Sequence, residues 1–479
     1  MGEPRAPIAT TTNGPVEGRR DDGVDVFRGV PFASAGRFAP PRPPAPWDGV
    51  RPALDFGPIS PQGAGAHFQR VDLPQAEDCL SLNVWTPAVD GGARPVLVWI
   101  HGGAFRQGSG ASPLYDGARL AARGDVVVVT INYRLAALGF AWHPDLGSGD
   151  GGPCGNWGLL DQVAALGWVR DNAAAFGGDP ANVTIFGESA GAASVLLLCT
   201  MPAARGLFHK AAAQSGAILG LAPAKAAEVT EQLAAAAGVE DVAALRDLPL
   251  DELLAAQATV DAGSTAAMAS FVPTRDGRVV PEHPLDALAS GSAAGLPLVV
   301  GTNVDEWKLW APMDPHSRDL DEDGLRRRLA RRFHVDAIDP LLDAVRAVRV
   351  DRGEPADPND LFYAIESERF FRVPALQAAD AQAGHGPTFV YLFGWPSPAM
   401  GGWLGACHGL EIAFVFGNQG RGELAAFTGA GADADALGAR MMDAWLAFAR
   451  TGDPSTGSLP WPRHDPATRP TMVFDRATG

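Results

Sequence analysis

One stretch limits what this chain can fold into: Val183-Thr184-Ile185-Phe186-Gly187-Glu188-Ser189-Ala190-Gly191-Ala192-Ala193-Ser194. It opens with β-branched and aromatic residues, which predict a short buried strand. It closes in Ala192-Ala193-Ser194-Val195-Leu196-Leu197-Leu198, which fits a buried helix. A strand that turns straight into a helix crowds the backbone at the junction. Glycines two before and two after Ser189 relieve that crowding and leave the serine at the tip, the G-x-S-x-G pattern of a nucleophile elbow. The first N–H groups of the helix then point at whatever the hydroxyl attacks. On its own the pattern is weak. The chain holds 57 glycines, and a glycine-rich turn before a helix looks the same. A nucleophilic serine also needs a base, an acid and donors for an oxyanion, which the rest of the chain must supply.

Around the elbow, strand and helix patterns alternate. Residues 8–30 carry alternating positions and turn signals at Asn13-Gly14 and Asp22-Gly23, which fit two or three short antiparallel strands. Proline and glycine dominate 31–63, an expected ordered surface loop. Leu80 to Thr86 alternates as a strand. Pro95 to Ile100 and Asp125 to Asn132 are continuously apolar, as central strands covered on both faces are. Trp157 to Phe176 has helical spacing. Two helices joined near Gly238 to Asp241 are expected in 222–262, and a strand from Pro297 to Val300. Residues 317–349 read as helical and polar on one face. Thr388 to Phe393 is a buried strand, Ala434 to Thr451 a long helix and Thr471 to Phe474 a short strand. The sum is an α/β fold around a mostly parallel sheet. A single domain over 1–479 is expected, with helical insertions around 222–290 and 311–385.

Composition narrows the partners. A net charge of −17 argues against nucleic acid and against an anionic membrane surface. Lysine occurs only at 210, 225 and 308, and the scattered arginines with abundant alanine, glycine and proline read as codon bias of a GC-rich, bacterial genome. The N-terminal residues lack the apolar run of a signal peptide, and no apolar run is long enough to span a bilayer. Cysteines at 79, 154, 199 and 407 are too widely spaced for a disulfide scaffold or a zinc pattern. The cytoplasm is the expected compartment.

The remaining parts of a serine site can be sought by position. Strand 95–100 ends in His101-Gly102-Gly103-Ala104-Phe105. Adjacent glycines let the backbone approach a substrate and present N–H groups. In α/β-hydrolases such a loop shares the oxyanion with the residue after the nucleophile, so Gly102, Gly103 and Ala190 are the expected donors. That fold orders its triad as serine, acid, histidine. Asp305 and Glu306, after the strand near 297–300, are both candidates for the acid. Five histidines lie beyond them. His316 and His334 fall in the charged segment, His385 in a Gly-His-Gly turn before a strand, and His464 in a proline- and arginine-rich tail. His408 follows a strand after a loop, between small residues and an apolar run, and is the best placed base.

From end to end the chain resembles the type B carboxylesterases, a family that includes bacterial p-nitrobenzyl-type esterases, animal carboxylesterases and cholinesterases. The resemblance is carried by Phe27-Arg28-Gly29-Val30-Pro31-Phe32, Glu77-Asp78-Cys79-Leu80-Ser81-Leu82-Asn83-Val84, the glycine loop and Asn132-Tyr133-Arg134-Leu135. It continues through Gly155 to Gln162, Phe176-Gly177-Gly178-Asp179-Pro180, the elbow, Gln214-Ser215-Gly216, His408-Gly409-Leu410-Glu411 and Phe416-Gly417-Asn418. It implies an α/β-hydrolase fold and a serine carboxylesterase with a triad of Ser189, Glu306 and His408. It thus decides between Asp305 and Glu306. An acyl-enzyme intermediate, a small-molecule ester substrate, no metal or cofactor, and a monomer or homodimer follow. Glu188 and Ser215 belong to motifs near the triad and are expected either to hold the histidine loop and the elbow or to take a direct place in the substrate pocket. Phe105, Met268, Phe271 and Trp403 are candidate pocket walls. Two departures stand out. Serine replaces the cysteine that secreted members pair with the one in Glu-Asp-Cys, so Cys79 is expected to be a free, buried thiol. Trp307 stands where the family has glycine, and is expected to pack or to narrow the pocket. The short loop after the strand of Cys79 does not indicate the long aromatic gorge of cholinesterases. Two other readings remain: a hydrolase of an amide, carbamate, thioester or lactone, and a non-catalytic cholinesterase-like interaction protein.

Overall fold

The computed structural model describes residues 6–63, 71–147, 152, 154–216, 220–263 and 270–476. Among them a ten-stranded sheet forms the centre. Its strands, in spatial order, are Met472–Phe474, Thr388–Phe393, Leu298–Asn303, Lys210–Gln214, Gly178–Glu188, Arg94–Ile100, Val127–Ile131, Ser81–Thr86, Val24–Pro31 and Arg19–Asp21. Neighbours run parallel from Met472–Phe474 through Val127–Ile131 and antiparallel beyond it. Ile8–Thr11, Gly14–Glu17 and Arg51–Pro52 make a small separate sheet. The expected mostly parallel sheet with extra N-terminal antiparallel strands is therefore present.

The continuously apolar strands are covered on both faces because their side chains alternate. Val96, Val98 and Ile100 join one core cluster with Val127, Val129 and Ile185. Leu97 and Trp99 point the other way and join Val128 and Phe186 in a second cluster. A third, smaller cluster lies away from the sheet, within the helices after residue 306. There Glu322–Leu329, Val335–Asp351 and Pro358–Ser367 pack on one another through Leu325, Ile338, Leu342 and Phe362. The earlier helical segment comprises Pro223–Ala236 and Leu250–Gly263, then Pro284–Ala289. The second of these helices begins later than expected, because a 3₁₀ turn over Val242–Arg246, capped by Asp241, follows the first.

Cys79, Cys154, Cys199 and Cys407 are free. Burial, with Asp161 nearby, pushes the Cys79 thiol up to about 12. Among the described residues no helix is long and apolar enough to cross a membrane.

Candidate active site

Parallel strands deliver their C-terminal ends to one edge of the sheet, where α/β proteins assemble sites. Ile100, Glu188, Gln214, Asn303 and Phe393 end five adjacent strands there, and the segments after them carry Gly102, Ser189, Ser215, Glu306 and His408.

The elbow is tight. Ser189 has φ 57° and ψ −121°, a conformation that L-residues rarely adopt. Its N–H donates to the Gln214 carbonyl at 2.9 Å, which ties the turn to the next strand. A Cβ on Gly191 would lie 1.9 Å from the Ile100 carbonyl oxygen, and one on Gly187 would lie 2.6 Å from the same atom. Both glycines are needed because strand Arg94–Ile100 presses on the turn. The hydroxyl of Ser189 does not cap helix Ala190–Thr200, and every residue of that helix is buried.

The glycine loop lies against the serine. A Cβ on Gly102 would come within 2.7 Å of Glu188 Oε2 and 3.1 Å of Ser189 Cβ. Gly103 has φ 109°, and a side chain there would strike the Gln107 carbonyl. Ala104 and Phe105 follow with φ 55° and 59°, two strained residues without glycine's freedom. The N–H groups of Arg106 and Gln107 both donate to the Gly103 carbonyl, and Ala136 N–H donates to that of Phe105 at 2.6 Å. His101 braces the same loop. Its ring stacks on Tyr133 at 4.4 Å, and Tyr133 donates its hydroxyl to the His101 carbonyl. Burial pushes the His101 imidazole down to about 4. The ring is therefore neutral, and its Nδ1, 2.8 Å from the Gly102 carbonyl, is the protonated nitrogen.

His408 Nδ1 lies 2.6 Å from Glu306 Oε2. The other oxygen, Oε1, accepts from Ser215 Oγ at 2.6 Å and from Asn303 N–H at 2.7 Å. On the far side of the ring, Nε2 stands 2.9 Å from Glu188 Oε1. That approach is off the hydrogen-bond axis, so neither atom counts as bonded although the charges are close. Burial alone disfavours the imidazolium, but Glu188 and Glu306 outweigh it and hold the His408 pKa well above the ordinary value. Glu188 is itself raised, by burial first, with His408 opposing that rise.

Two further side chains complete the polar floor. Glu411 accepts from Asn303 Nδ2 at 2.6 Å and Gln214 Nε2 at 3.3 Å. Burial, then Glu188 and Glu306, push it up to about 8, so it is protonated at neutral pH. Asp305 turns away from the imidazole. Its Oδ2 accepts from Ala406 N–H at 3.0 Å, its own N–H donates to the Ala406 carbonyl at 2.9 Å, and Lys308 pairs with it. Of the two adjacent acids, Glu306 meets the histidine and Asp305 pins the loop that carries it.

The candidate walls separate. Phe105 is fully buried and packs edge-on against Phe140, so it is core. Phe271 is buried as well. Met268 lies outside the described residues. Trp307 packs against Trp310 and Phe370 in the third cluster. Trp403 contacts Tyr363 over a surface groove of about 390 Å³ that also takes in Arg318, Asp357 and Asp360. The rings that do meet the imidazole are Trp310 and Phe371, which no spacing rule picks out. Asn303 was equally silent, whereas Glu411 stands three residues past His408 in a motif already noted. Among the described residues no group of His, Cys, Asp or Glu is arranged to hold a metal ion.

Comparisons with known proteins give the family. The model of the Carboxylesterase family matches residues 5–478. The chain is 38% identical to the para-nitrobenzyl esterase of Bacillus subtilis (strain 168) over 480 residues, covering 98% of this chain and 94% of that one. It is 38% identical to the phenmedipham hydrolase of Pseudarthrobacter oxydans, covering 95% and 92%. A solved carboxylesterase of Geobacillus stearothermophilus superimposes with a TM-score of 0.86 at 42% identity, over 98% of this chain and 97% of that one.

Proposed function

The chain belongs to the carboxylesterase family and is a carboxylic ester hydrolase, and from that premise we propose that Ser189, His408 and Glu306 are its catalytic triad. The observation that carries the reading is the 2.6 Å contact between His408 Nδ1 and Glu306 Oε2, beside a serine held at positive φ on a strand–helix turn. Glu306 holds the imidazole with its Nε2 toward the elbow and balances the cation that forms there. His408 Nε2 leaves its contact with Glu188 and takes the Ser189 proton as Oγ attacks the ester carbonyl. The oxyanion is received by the N–H groups of Gly102, Gly103 and Ala190, each worth about 3 kcal/mol in the transition state. The loop's positive-φ backbone is pre-set for that role, so no reorganisation is needed during reaction. The imidazolium then protonates the departing alcohol. Water, deprotonated by the same nitrogen, cleaves the acyl-enzyme and returns Ser189.

The test is hydrolysis of p-nitrophenyl esters. Ser189→Ala is expected to lose at least about a thousandfold in kcat. Wild-type turnover in that variant would place the nucleophile elsewhere. A panel pairing each ester with its amide, carbamate, thioester and lactone counterparts decides which acyl bond is preferred.

A further inference from the structure

Helix Pro358–Ser367 does not run straight into helix Val373–Ala383. Between them Glu368–Arg372 forms a π turn, in which the Val373 N–H donates to Glu368 O, five residues back. Such turns are rare and cluster at functional sites. Here the local cause is visible. Pro374 has no N–H, so an α-helical bond from that position is impossible, and the wider turn absorbs the defect. Two anchors hold it. The fully buried Glu366 carboxylate is paired by Arg332 at 2.9 Å and Arg369 at 2.8 Å. Ser367 Oγ accepts from Trp307 N–H at 3.0 Å and donates to the Tyr363 carbonyl at 2.8 Å.

The consequence lies at the histidine. The Phe371 ring centre is 4.7 Å from that of His408, and Trp310 lies at the same distance on another side. Phe371 and Trp310 stack on each other at 5.6 Å and 10°. The three ring centres form a close triangle, with the imidazole tilted 41° to Trp310 and 42° to Phe371. Trp310 comes from the turn after Glu306 and Phe371 from the π turn, so two separate segments converge on one ring.

We propose that the π turn at Glu368–Arg372 is a positioning device, and that Phe371 with Trp310 forms an aromatic corner that holds the His408 imidazole in place and favours its cationic form. The proposal rests on the reading of His408 as the base. Both ring centres lie 4.7 Å from the imidazole centre, close enough for the aromatic quadrupoles to favour the imidazolium that forms as Ser189 attacks. Charged groups already face this ring from other elements: Glu188 at the end of the elbow strand and Glu306 after its own strand, with Glu411 and Asp305 behind them. On the insertion, Arg332 and Arg369 are taken up by Glu366. The aromatic corner adds what those carboxylates cannot, a non-titrating surface that fixes the ring plane.

The experiment compares leucine and aromatic replacements at both positions, using p-nitrophenyl acetate. Phe371→Leu and Trp310→Leu are each expected to lower kcat about threefold to tenfold, with KM within about twofold. The acid limb of kcat/KM should move to lower pH, because losing an aromatic quadrupole disfavours the imidazolium. Phe371→Tyr and Trp310→Phe should restore both rate and limb. Trp310 is half-buried, so its variants keep the test alive if Phe371→Leu fails to fold. Folded leucine variants with unchanged kcat and acid limb would overturn the proposal. So would a change confined to KM, which makes the rings substrate walls, or aromatic variants no better than leucine, which makes them mere filling. Full turnover in His408→Ala would instead sink the reading of the base and leave the corner without a role.

Discussion

His408 sits between two carboxylates, and that sets the sign of its response to pH. A base works only when neutral, and both neighbours favour the cation. The acid limb of kcat/KM should therefore lie above about 6.5, the ordinary histidine value. Replacing Glu188 with glutamine removes one negative charge 2.9 Å from Nε2. The His408 pKa must then fall, and the acid limb is expected to move to lower pH by about one unit. A rate–pH profile unchanged in Glu188→Gln would show that the carboxyl is neutral over the working range. Gly191 offers a different check at the same scale. Its missing Cβ would stand 1.9 Å from the Ile100 carbonyl, backbone against backbone. Gly191→Ala should cost more than about 4 kcal/mol and appear as loss of soluble protein or a large drop in Tm. A folded alanine variant with wild-type Tm would mean that the strand can retreat from the elbow.

Between residues and fold lie the elements that aim them. The strand Leu298–Asn303 ends in a short turn that sends adjacent carboxylates in opposite directions, Glu306 to the imidazole and Asp305 to the backbone at Ala406. Gly405, with φ 57°, lets that contact close, since a Cβ there would meet Asp305 Oδ2. Asp305→Ala should free the histidine loop and lower kcat about tenfold or more with little change in KM, a loss of orientation rather than of binding. Asp305→Asn keeps an acceptor for Ala406 and should retain most of the rate; if both variants behave alike, the clamp is not what Asp305 provides. The same pair marks the limit of what the sequence could say. Strands such as Pro95 to Ile100 are legible because burial on both faces leaves a continuous apolar run, and the elbow is legible because close approach demands glycine at fixed offsets. Asp305 and Glu306 have the same chemistry at the same place, and only the resemblance separated them. Trp310 and Phe371 were not legible at all. Helical spacing predicts which face a residue takes on a regular helix, and a π turn breaks that regularity where Phe371 sits. Trp403, near the histidine in sequence, lines a groove with Arg318, Asp360 and Tyr363.

We read the molecule as one α/β-hydrolase domain with helical insertions around 222–290 and 311–385, and its stability is unevenly spread. Two large clusters cover the sheet, and helix Val373–Ala383 joins the first through Ala378 and Ala379, while the part of the second insertion before it packs mainly on itself. Its helix Val335–Asp351 buries only Ile338 and Leu342 and carries Pro340 inside, which removes one backbone hydrogen bond. Much of the rest is surface ion pairing, Arg326 with Asp339 and Arg328 with Asp314, which contributes little and is screened by salt. Yet this segment supplies Phe371 to the histidine. Segments with few buried contacts open first. On heating, esterase activity should therefore fall at a lower temperature than the far-UV circular dichroism of the sheet, and added salt should widen the gap. Leu342→Ala, which empties a buried position at a cost of about 2–5 kcal/mol, should lower the activity midpoint while the dichroism midpoint stays near wild type. Coincident midpoints in wild type and variant would mean that insertion and sheet melt as a single unit, and that the third cluster is as firmly held as the other two.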